Sequence, residues 1–321
     1  MGSAREAGDV TSTDQDRPPN SVLLPTVRWA DACDEVAGQL GERDELLVIC
    51  DTADDPVADR RGTTPDGVRI VLAGEPEGCS GKANAIAVGM EAAAHDRIVW
   101  TDDDFAHPDH WLATLNADYE RQGPTTEIPV FVGKDPLARL LEPAYALGGT
   151  AAVSAGGIAW GGAVVFERDD LRDGRDAFLA DLRRTVSDDG TLSEHVDVTA
   201  ADRTRTVPAG GSIRGSLERF VRFFRIVRFH APLGAAFNVA FAVAFAALCL
   251  FAPVIGVTLV TAISAGIYAR FGIRRATFLL AGPAVIVSPL LLAYALARRT
   301  FVWGGRRYRW RSLFDVEVLP V

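Results

Sequence analysis

Lysine is almost missing from this 321-residue chain: Lys82 and Lys134 are the only two, and the other 31 basic residues are arginine. With 42 acidic side chains against 33 basic ones and a formal net charge of −9, the composition fits a salt-adapted proteome such as that of a halophilic archaeon, where surface acids keep the fold hydrated. GC-rich codon usage is the other source of such an arginine excess. Cysteine is also scarce. Cys33, Cys50, Cys79 and Cys249 show no paired metal-ligand spacing, which excludes a thiolate metal centre, and Cys50 and Cys249 lie in apolar runs where a thiol behaves as a small hydrophobe. No disulfide framework is expected. The first twenty residues lack the apolar core of a signal peptide and are expected to form a disordered tail (1–20), leaving the acidic first half of the chain in the cytoplasm.

Acids are scarce at the other end. Beyond Glu218 only Asp315 and Glu317 remain against 13 arginines, so the first 218 residues carry −20 and the rest +11. Charge of either sign nearly vanishes between Pro232 and Ala297, where only Arg270, Arg274 and Arg275 interrupt the apolar sequence. That stretch divides into Pro232 to Phe251, Pro253 to Ala269 and Ala276 to Ala297, each about as long as a bilayer crossing of roughly 17 to 25 residues. A multi-pass membrane protein is expected. Arg219 to Arg228 and the basic tail should both prefer the cytoplasm, so three crossings conflict with the charges. A re-entrant third segment, broken by Gly282-Pro283 and Ser288-Pro289, removes the conflict. The sequence leaves two or three crossings open.

What the chain has in abundance is acid at one place. Asp102, Asp103 and Asp104 close the run RIVWTDDDF over 97–105. An apolar strand that delivers three carboxylates into a loop offers the hard oxygens that Mg²⁺ or Mn²⁺ takes while holding a phosphate. Upstream, strands are predicted at Ser21 to Thr26, Glu45 to Cys50 and Gly67 to Leu72, with helices at Trp29 to Leu40 and Lys82 to Ala94. This alternation predicts an α/β domain with a mostly parallel sheet and a ligand at the carboxyl ends of its strands. Helices are also predicted at Trp111 to Arg121 and Asp169 to Val186, and a strand and loop over 197–214.

Several motifs, taken in order, make the chain resemble the membrane-bound family 2 glycosyltransferases, especially their ceramide glucosyltransferase-like branch. They are VICDTADD over 48–55, Gly81-Lys82 with Asn84, the three aspartates, Gly161-Gly162, Ser187-Asp188-Asp189 with Leu192, and RIVRF over 225–229. The resemblance covers roughly Val22 to Phe229, and the WGGRRY segment over 303–308 is in keeping with it. It implies a GT-A, Rossmann-like domain followed by C-terminal transmembrane helices. It also implies inverting transfer from a nucleotide-diphospho-sugar donor to a lipid or lipid-linked acceptor.

By the same resemblance Asp51 contacts the base, Lys82 and Asn84 approach the donor, and Asp102 contacts ribose or metal. Asp104 ligates Mg²⁺ or Mn²⁺, and Asp103 is a bystander or cap. Gly161 and Gly162 leave room for sugar and acceptor, Asp189 is the catalytic base, and Arg225, Arg228 and Phe229 hold the diphosphate or stack on sugar. Cys50 stands where the family often has a first Asp, and Phe229 where it has Trp.

The expected organisation is a GT-A domain over 21–215, a basic interfacial helix over 216–231, transmembrane segments over 232–299 and a basic cytoplasmic tail over 300–321. No nucleic-acid partner is expected. Two alternatives stay open: a polyprenyl-phosphate (dolichyl-phosphate) sugar transferase, and an inactive membrane scaffold of the same fold.

Overall fold

A computed structural model describes residues 17–320. The first strands are β1 (Asn20–Pro25), β2 (Glu45–Cys50), β3 (Val68–Leu72) and β4 (Arg97–Thr101), with α1 (Asp31–Ala37) and α2 (Gly81–Ala92) between them. β2 and β4 are buried along their whole length, as continuous apolar runs require when a sheet is covered on both faces. Alternate residues serve opposite faces: Val22, Leu24, Leu46 and Val48 pack with α1, and Leu23, Leu47, Ile49 and Trp100 pack with α2. Helix α2 lies so close to the sheet that a Cβ on Gly89 would stand 2.4 Å from Ile49.

The chain continues through α3 (Trp111–Gln122), β5 (Thr125–Gly133), α4 (Pro136–Tyr145), a π-helical turn (Ala146–Ala151) and the single turn α5 (Ala152–Ser154). Then come β6 (Ala163–Glu167), α6 (Gly174–Leu182), α7 (Asp188–His195) and β7 (Thr199–Ala209). The seven strands are ordered β3-β2-β1-β4-β6-β5-β7. β3, β2, β1 and β4 are parallel, β6 runs antiparallel between β4 and β5, and β7 is parallel to β5. The chain therefore has the α/β class and largely parallel sheet expected from its sequence.

The sequence map gave no element over 122–147. β5 and α4 occupy this stretch, and their local signals are weak: β5 carries Glu127 and Pro129 in its interior. Glu127 is fully buried and holds both Arg203 and Arg205 of β7, so tertiary ion pairing offsets the burial of a charge that strand patterning disfavours. The predicted helix over 169–186 is shorter than expected, because α6 starts only at Gly174.

Beyond the sheet, α8 (Ile213–His230) leads into α9 (Pro232–Phe251), α10 (Pro253–Arg270) and α11 (Ala281–Ala297), the last preceded by a 3-10 turn at Ala276–Leu280. Three stretches of 20, 18 and 22 residues, Pro232–Phe251, Pro253–Arg270 and Ala276–Ala297, are long and apolar enough to cross a membrane. The segment expected as a basic tail is instead folded. β8 (Phe301–Trp303), β9 (Arg306–Ser312) and β10 (Asp315–Leu319) form an antiparallel sheet that buries Phe301, Tyr308 and Trp310 against Val186 and Val221. Arginines alternate there with aromatics, a period-2 pattern hidden by the net charge.

Candidate active site

The parallel strands β2, β1 and β4 end at one cavity of about 350 Å³. Because α1 and α2 lie on opposite faces, the chain diverges around β1, and such a switch point opens a crevice at the strand ends. Pro25 at the end of β1 and Thr26 and Val27 after it line the cavity, with Asp51 after β2 and Asp102, Asp103 and Asp104 after β4.

Lys82 sits at the start of α2, whose N-cap Ser80 accepts from the Ala83 amide and donates to the Val186 carbonyl at 2.8 Å. That bond ties α2 to the segment before α7. The Lys82 ammonium lies 2.7 Å from Asp102 Oδ1 and 3.2 Å from Asp188 Oδ2. Burial alone would lower its pKa, but Asp102, Asp188 and Asp189 together raise it, so the lysine stays charged. Asp188 is pushed up to about 6 by burial, against the pull of Lys82. The motif carrying Asp189 thus turns its first carboxylate inward to Lys82. Asp189 lines the cavity and accepts only from the Ser187 hydroxyl, at 3.1 Å, among the described residues.

Asp104 is exposed at the cavity mouth and has no hydrogen-bond partner among the described residues. Its carboxyl is nevertheless pushed up to about 6, first by lost solvation and then by the neighbouring Asp102. Asp103 accepts from the Thr26 hydroxyl at 2.6 Å, which fastens the aspartate loop to the end of β1. Beneath the loop His107 is buried, its Nε2 lying 2.6 Å from the Thr101 hydroxyl, which donates in turn to the Gly162 carbonyl at 3.0 Å. His107 therefore braces the loop from below.

Gly161 and Gly162 are needed for close approach, although their free space is filled by the protein itself. A Cβ on Gly161 would stand 2.8 Å from Asp188 Oδ2, and one on Gly162 would stand 2.4 Å from the Trp160 ring. The first glycine makes room for the Lys82–Asp188 pair and the second for an indole that lines the cavity.

Four expected site residues lie elsewhere. Asn84 is buried and donates to the Ala73 and Gly74 carbonyls at 3.2 and 3.0 Å, so it pins the loop after β3. Arg225 is buried and donates to the carbonyls of Trp310 and Arg298. Arg228 is exposed, and Phe229 packs edge-on against Trp310 with ring centroids 4.9 Å apart. The cavity is lined instead by Arg219, Arg222 and Phe223 of the same helix. Arginines at 219, 222, 225 and 228 step by three residues and so move about 60° around the helix each time. Arg222 lies 4.0 Å from the Trp303 ring centre. Its Nε and Nη1 are shielded from water and have no hydrogen-bond partner among the described residues. Burial, with Arg219 alongside, pulls it down to about 10, so it remains a cation.

Because Arg225 joins α8 to the final sheet, Arg225→Ala should act on folding. It leaves two carbonyls unpaired, at a cost on the order of 2–4 kcal/mol. The expected result is a lower midpoint of thermal unfolding in detergent, with ligand affinity of the still-folded protein unchanged.

The segment after α11 also contributes to the cavity, through Trp303, Gly304, Arg306 and Tyr308. The WGGRRY segment that holds them is in keeping with the family resemblance, but no site role is expected of it from sequence, since nothing local shows that a segment after three apolar stretches returns to the strand ends. With these residues the lining holds Asp51, Asp102, Asp103, Asp104, Asp188 and Asp189 against Lys82, Arg219, Arg222 and Arg306. That formal excess of two negative charges suits one divalent cation. No group of three or more His, Cys, Asp or Glu side chains placed to hold a metal occurs among the described residues. The open Asp104 carboxylate and the second oxygen of Asp102 would therefore hold an ion that takes its other ligands from water and a bound phosphate. Hard oxygens of this kind fit Mg²⁺ or Mn²⁺.

No protein-family model matches the chain, and no curated protein matches it. Among solved structures, the chain is similar to the mannosyltransferase of Pyrobaculum calidifontis in complex with GDP-Man and Mn²⁺, at 19% identity and a TM-score of 0.40, over 85% of this chain and 87% of that one. Glucosyl-3-phosphoglycerate synthase from Mycobacterium tuberculosis with phosphoglyceric acid is similar at 16% identity and a TM-score of 0.41, over 65% and 80%. The same synthase with Mg²⁺ and uridine diphosphate gives 15%, 0.42, 65% and 77%. These likenesses are all with glycosyltransferase structures, stay below a TM-score of 0.5 and assign this chain no family.

Proposed function

We propose that the chain is a GT-A type inverting glycosyltransferase that moves a sugar from a nucleotide diphosphate to a lipid acceptor at the membrane. The observation that supports it most is the meeting in one cavity of open acids at Asp104 and Asp189 with the cations Lys82, Arg219 and Arg222. A bound Mg²⁺ or Mn²⁺ would offset negative charge on the departing diphosphate. Lys82 is held by Asp102 and Asp188, so it meets the phosphates without reorganising. Arg219 and Arg222 of α8 supply two further cations to the cavity, the role expected of Arg225 and Arg228. Asp189 accepts the proton of the acceptor hydroxyl as that oxygen attacks the anomeric carbon from the face opposite the diphosphate.

A phosphate-bearing acceptor is a second reading, favoured by the unpaired guanidinium of Arg222. Such an acceptor is already ionised and needs no base. Purified protein supplied with labelled nucleotide sugars and a lipid extract should form a chloroform-soluble labelled product. Mild acid separates the readings, because a glycosyl phosphate is cleaved where a glycoside survives. No product from any donor would sink the proposal.

Parity supports an even number of membrane crossings. The sheet domain before α9 and the β8–β10 sheet after α11 build one cavity, so both lie on one side of the bilayer and the crossings between them are even in number. Arg270 at the end of α10 pairs with Asp202, and Arg275 pairs with the buried Glu142 at 2.9 Å. The chain is thus back at the sheet domain after two helices. Helix α11 starts there, packs Leu291 and Val287 with Leu141 and Tyr145, and ends where Arg298 pairs with Glu218. Two crossings, α9 and α10, with α11 packed against both through Ala281, Val285 and Ile286 and returning to the domain without crossing, put every arginine cluster on the cytoplasmic side. Single cysteines introduced at 252, 273 and 304 test this in sealed vesicles. Only the one at 252 should react with an impermeant thiol reagent from outside, and labelling at 304 from outside would exclude the arrangement.

A further inference from the structure

The segment beyond α11 reaches the cavity through a specific set of contacts. Arg306 places Nη1 2.6 Å from Asp51 Oδ2 and Nη2 2.7 Å from Glu75 Oε2. The Tyr308 hydroxyl accepts from the Gly81 amide at 3.1 Å, next to Lys82 at the start of α2. Tyr308 itself is 1% exposed, so this strand is a fixed wall. The position of Asp51 gives the contacts their meaning. It closes β2, whereas Asp102 follows β4, and β1 lies between the two strands. Neighbouring strands stand about 4.8 Å apart, which separates the two ends by about 10 Å. With a diphosphate held at Asp102 and Asp104, that gap accommodates a nucleoside.

We infer that the hairpin of β8 and β9 forms the nucleoside end of the cavity, with Arg306 as the residue that positions Asp51. This rests on reading the cavity as a nucleotide-sugar site. Burial raises the Asp51 pKa against the pull of Arg306, so an unpaired Asp51 would be the poorer acceptor for an N–H of the base. The guanidinium engages Oδ2 and leaves Oδ1 with no hydrogen-bond partner among the described residues. Glu75 holds the other arm of the fork, which fixes the plane of the guanidinium. A chain segment that follows the membrane helices thereby becomes part of donor binding, and the donor site is complete only when that segment is folded onto the sheet domain.

The test uses full-length protein in detergent, high salt and Mn²⁺, titrated separately with UDP, GDP and inorganic pyrophosphate. Arg306→Gln should weaken the nucleotide that wild type prefers by roughly tenfold, the cost of one mispaired buried polar group. Pyrophosphate affinity should stay within about twofold, since the phosphate end is untouched. Arg306→Lys, which keeps a cation but cannot fork between two carboxylates, should fall between wild type and Arg306→Gln and guards against a folding defect in the latter.

Equal weakening of nucleotide and pyrophosphate would overturn the inference, because Arg306 would then serve the phosphates or the fold at large. Tighter nucleotide binding by Arg306→Gln would overturn it too, by showing that the guanidinium obstructs the site. If wild type bound neither nucleotide nor pyrophosphate, the nucleotide-sugar reading itself would fail and take this inference with it.

Discussion

Asp189→Asn is expected to lower turnover by about 10²–10⁴-fold, the usual contribution of a general base, while leaving donor affinity within about twofold. Asp189 faces the cavity with one hydroxyl partner, whereas its neighbour Asp188 is committed to Lys82. The two carboxylates therefore predict different phenotypes despite being adjacent. Asp188→Asn removes one of the two carboxylates paired with Lys82 and should reduce donor affinity as well as turnover. Steady-state transfer assays on both variants, paired with direct donor titration, separate the cases. Turnover by Asp189→Asn equal to wild type would remove the base assignment and favour an acceptor that arrives ionised, such as a lipid phosphate.

Asp104→Asn should have the other large effect, and it should appear both in metal-dependent donor binding and in turnover. Among the described residues Asp104 is the one acid of the aspartate loop with no hydrogen-bond or ion-pair partner, while Asp102 is engaged by Lys82 and Asp103 by Thr26. Losing its charge should cost several kcal/mol of metal-assisted stabilisation, on the order of a thousandfold in turnover. Mn²⁺ should then no longer enhance donor affinity. Asp103→Asn should change either quantity by less than about threefold, since an amide still accepts from Thr26 at a cost of about 1 kcal/mol or less. A variant series in which Asp103 mattered more than Asp104 would reverse these roles.

The sheet domain was legible because its strands are long apolar runs and its acids cluster at strand ends, both local properties. Asp102 and Asp104 stand out from such features, whereas Asp51, Lys82 and Asp189 come from the family resemblance, and all five line one cavity. Helix α8 shows where local reading stops. Its arginines repeat every three residues, so any adjacent pair could face the site. The direction is set by Arg225 finding the Arg298 carbonyl just after α11 and the Trp310 carbonyl in β9. Asn84 likewise was a matter of orientation, settled by two carbonyls after β3.

The final sheet was hidden for a different reason. Its charge suggested a solvated tail, but Arg306, Arg309 and Arg311 are paired with Asp51, Glu317 and Asp315. The alternate aromatics Tyr308 and Trp310 face inward. Long-range pairing leaves no mark in composition. The crossing number is ambiguous in sequence because length and apolarity treat three segments alike, and the proposed count of two rests on which helix ends return to Asp202, Glu142 and Glu218.

The most direct test of the account is titration of the detergent-solubilised full-length protein with a panel of nucleotide diphosphate sugars, in high salt, with and without Mn²⁺ or Mg²⁺. The account predicts that one donor binds, that binding strengthens at least tenfold with the metal, and that Asp104→Asn loses this enhancement. Folded wild-type protein that bound no donor under any of these conditions would contradict it.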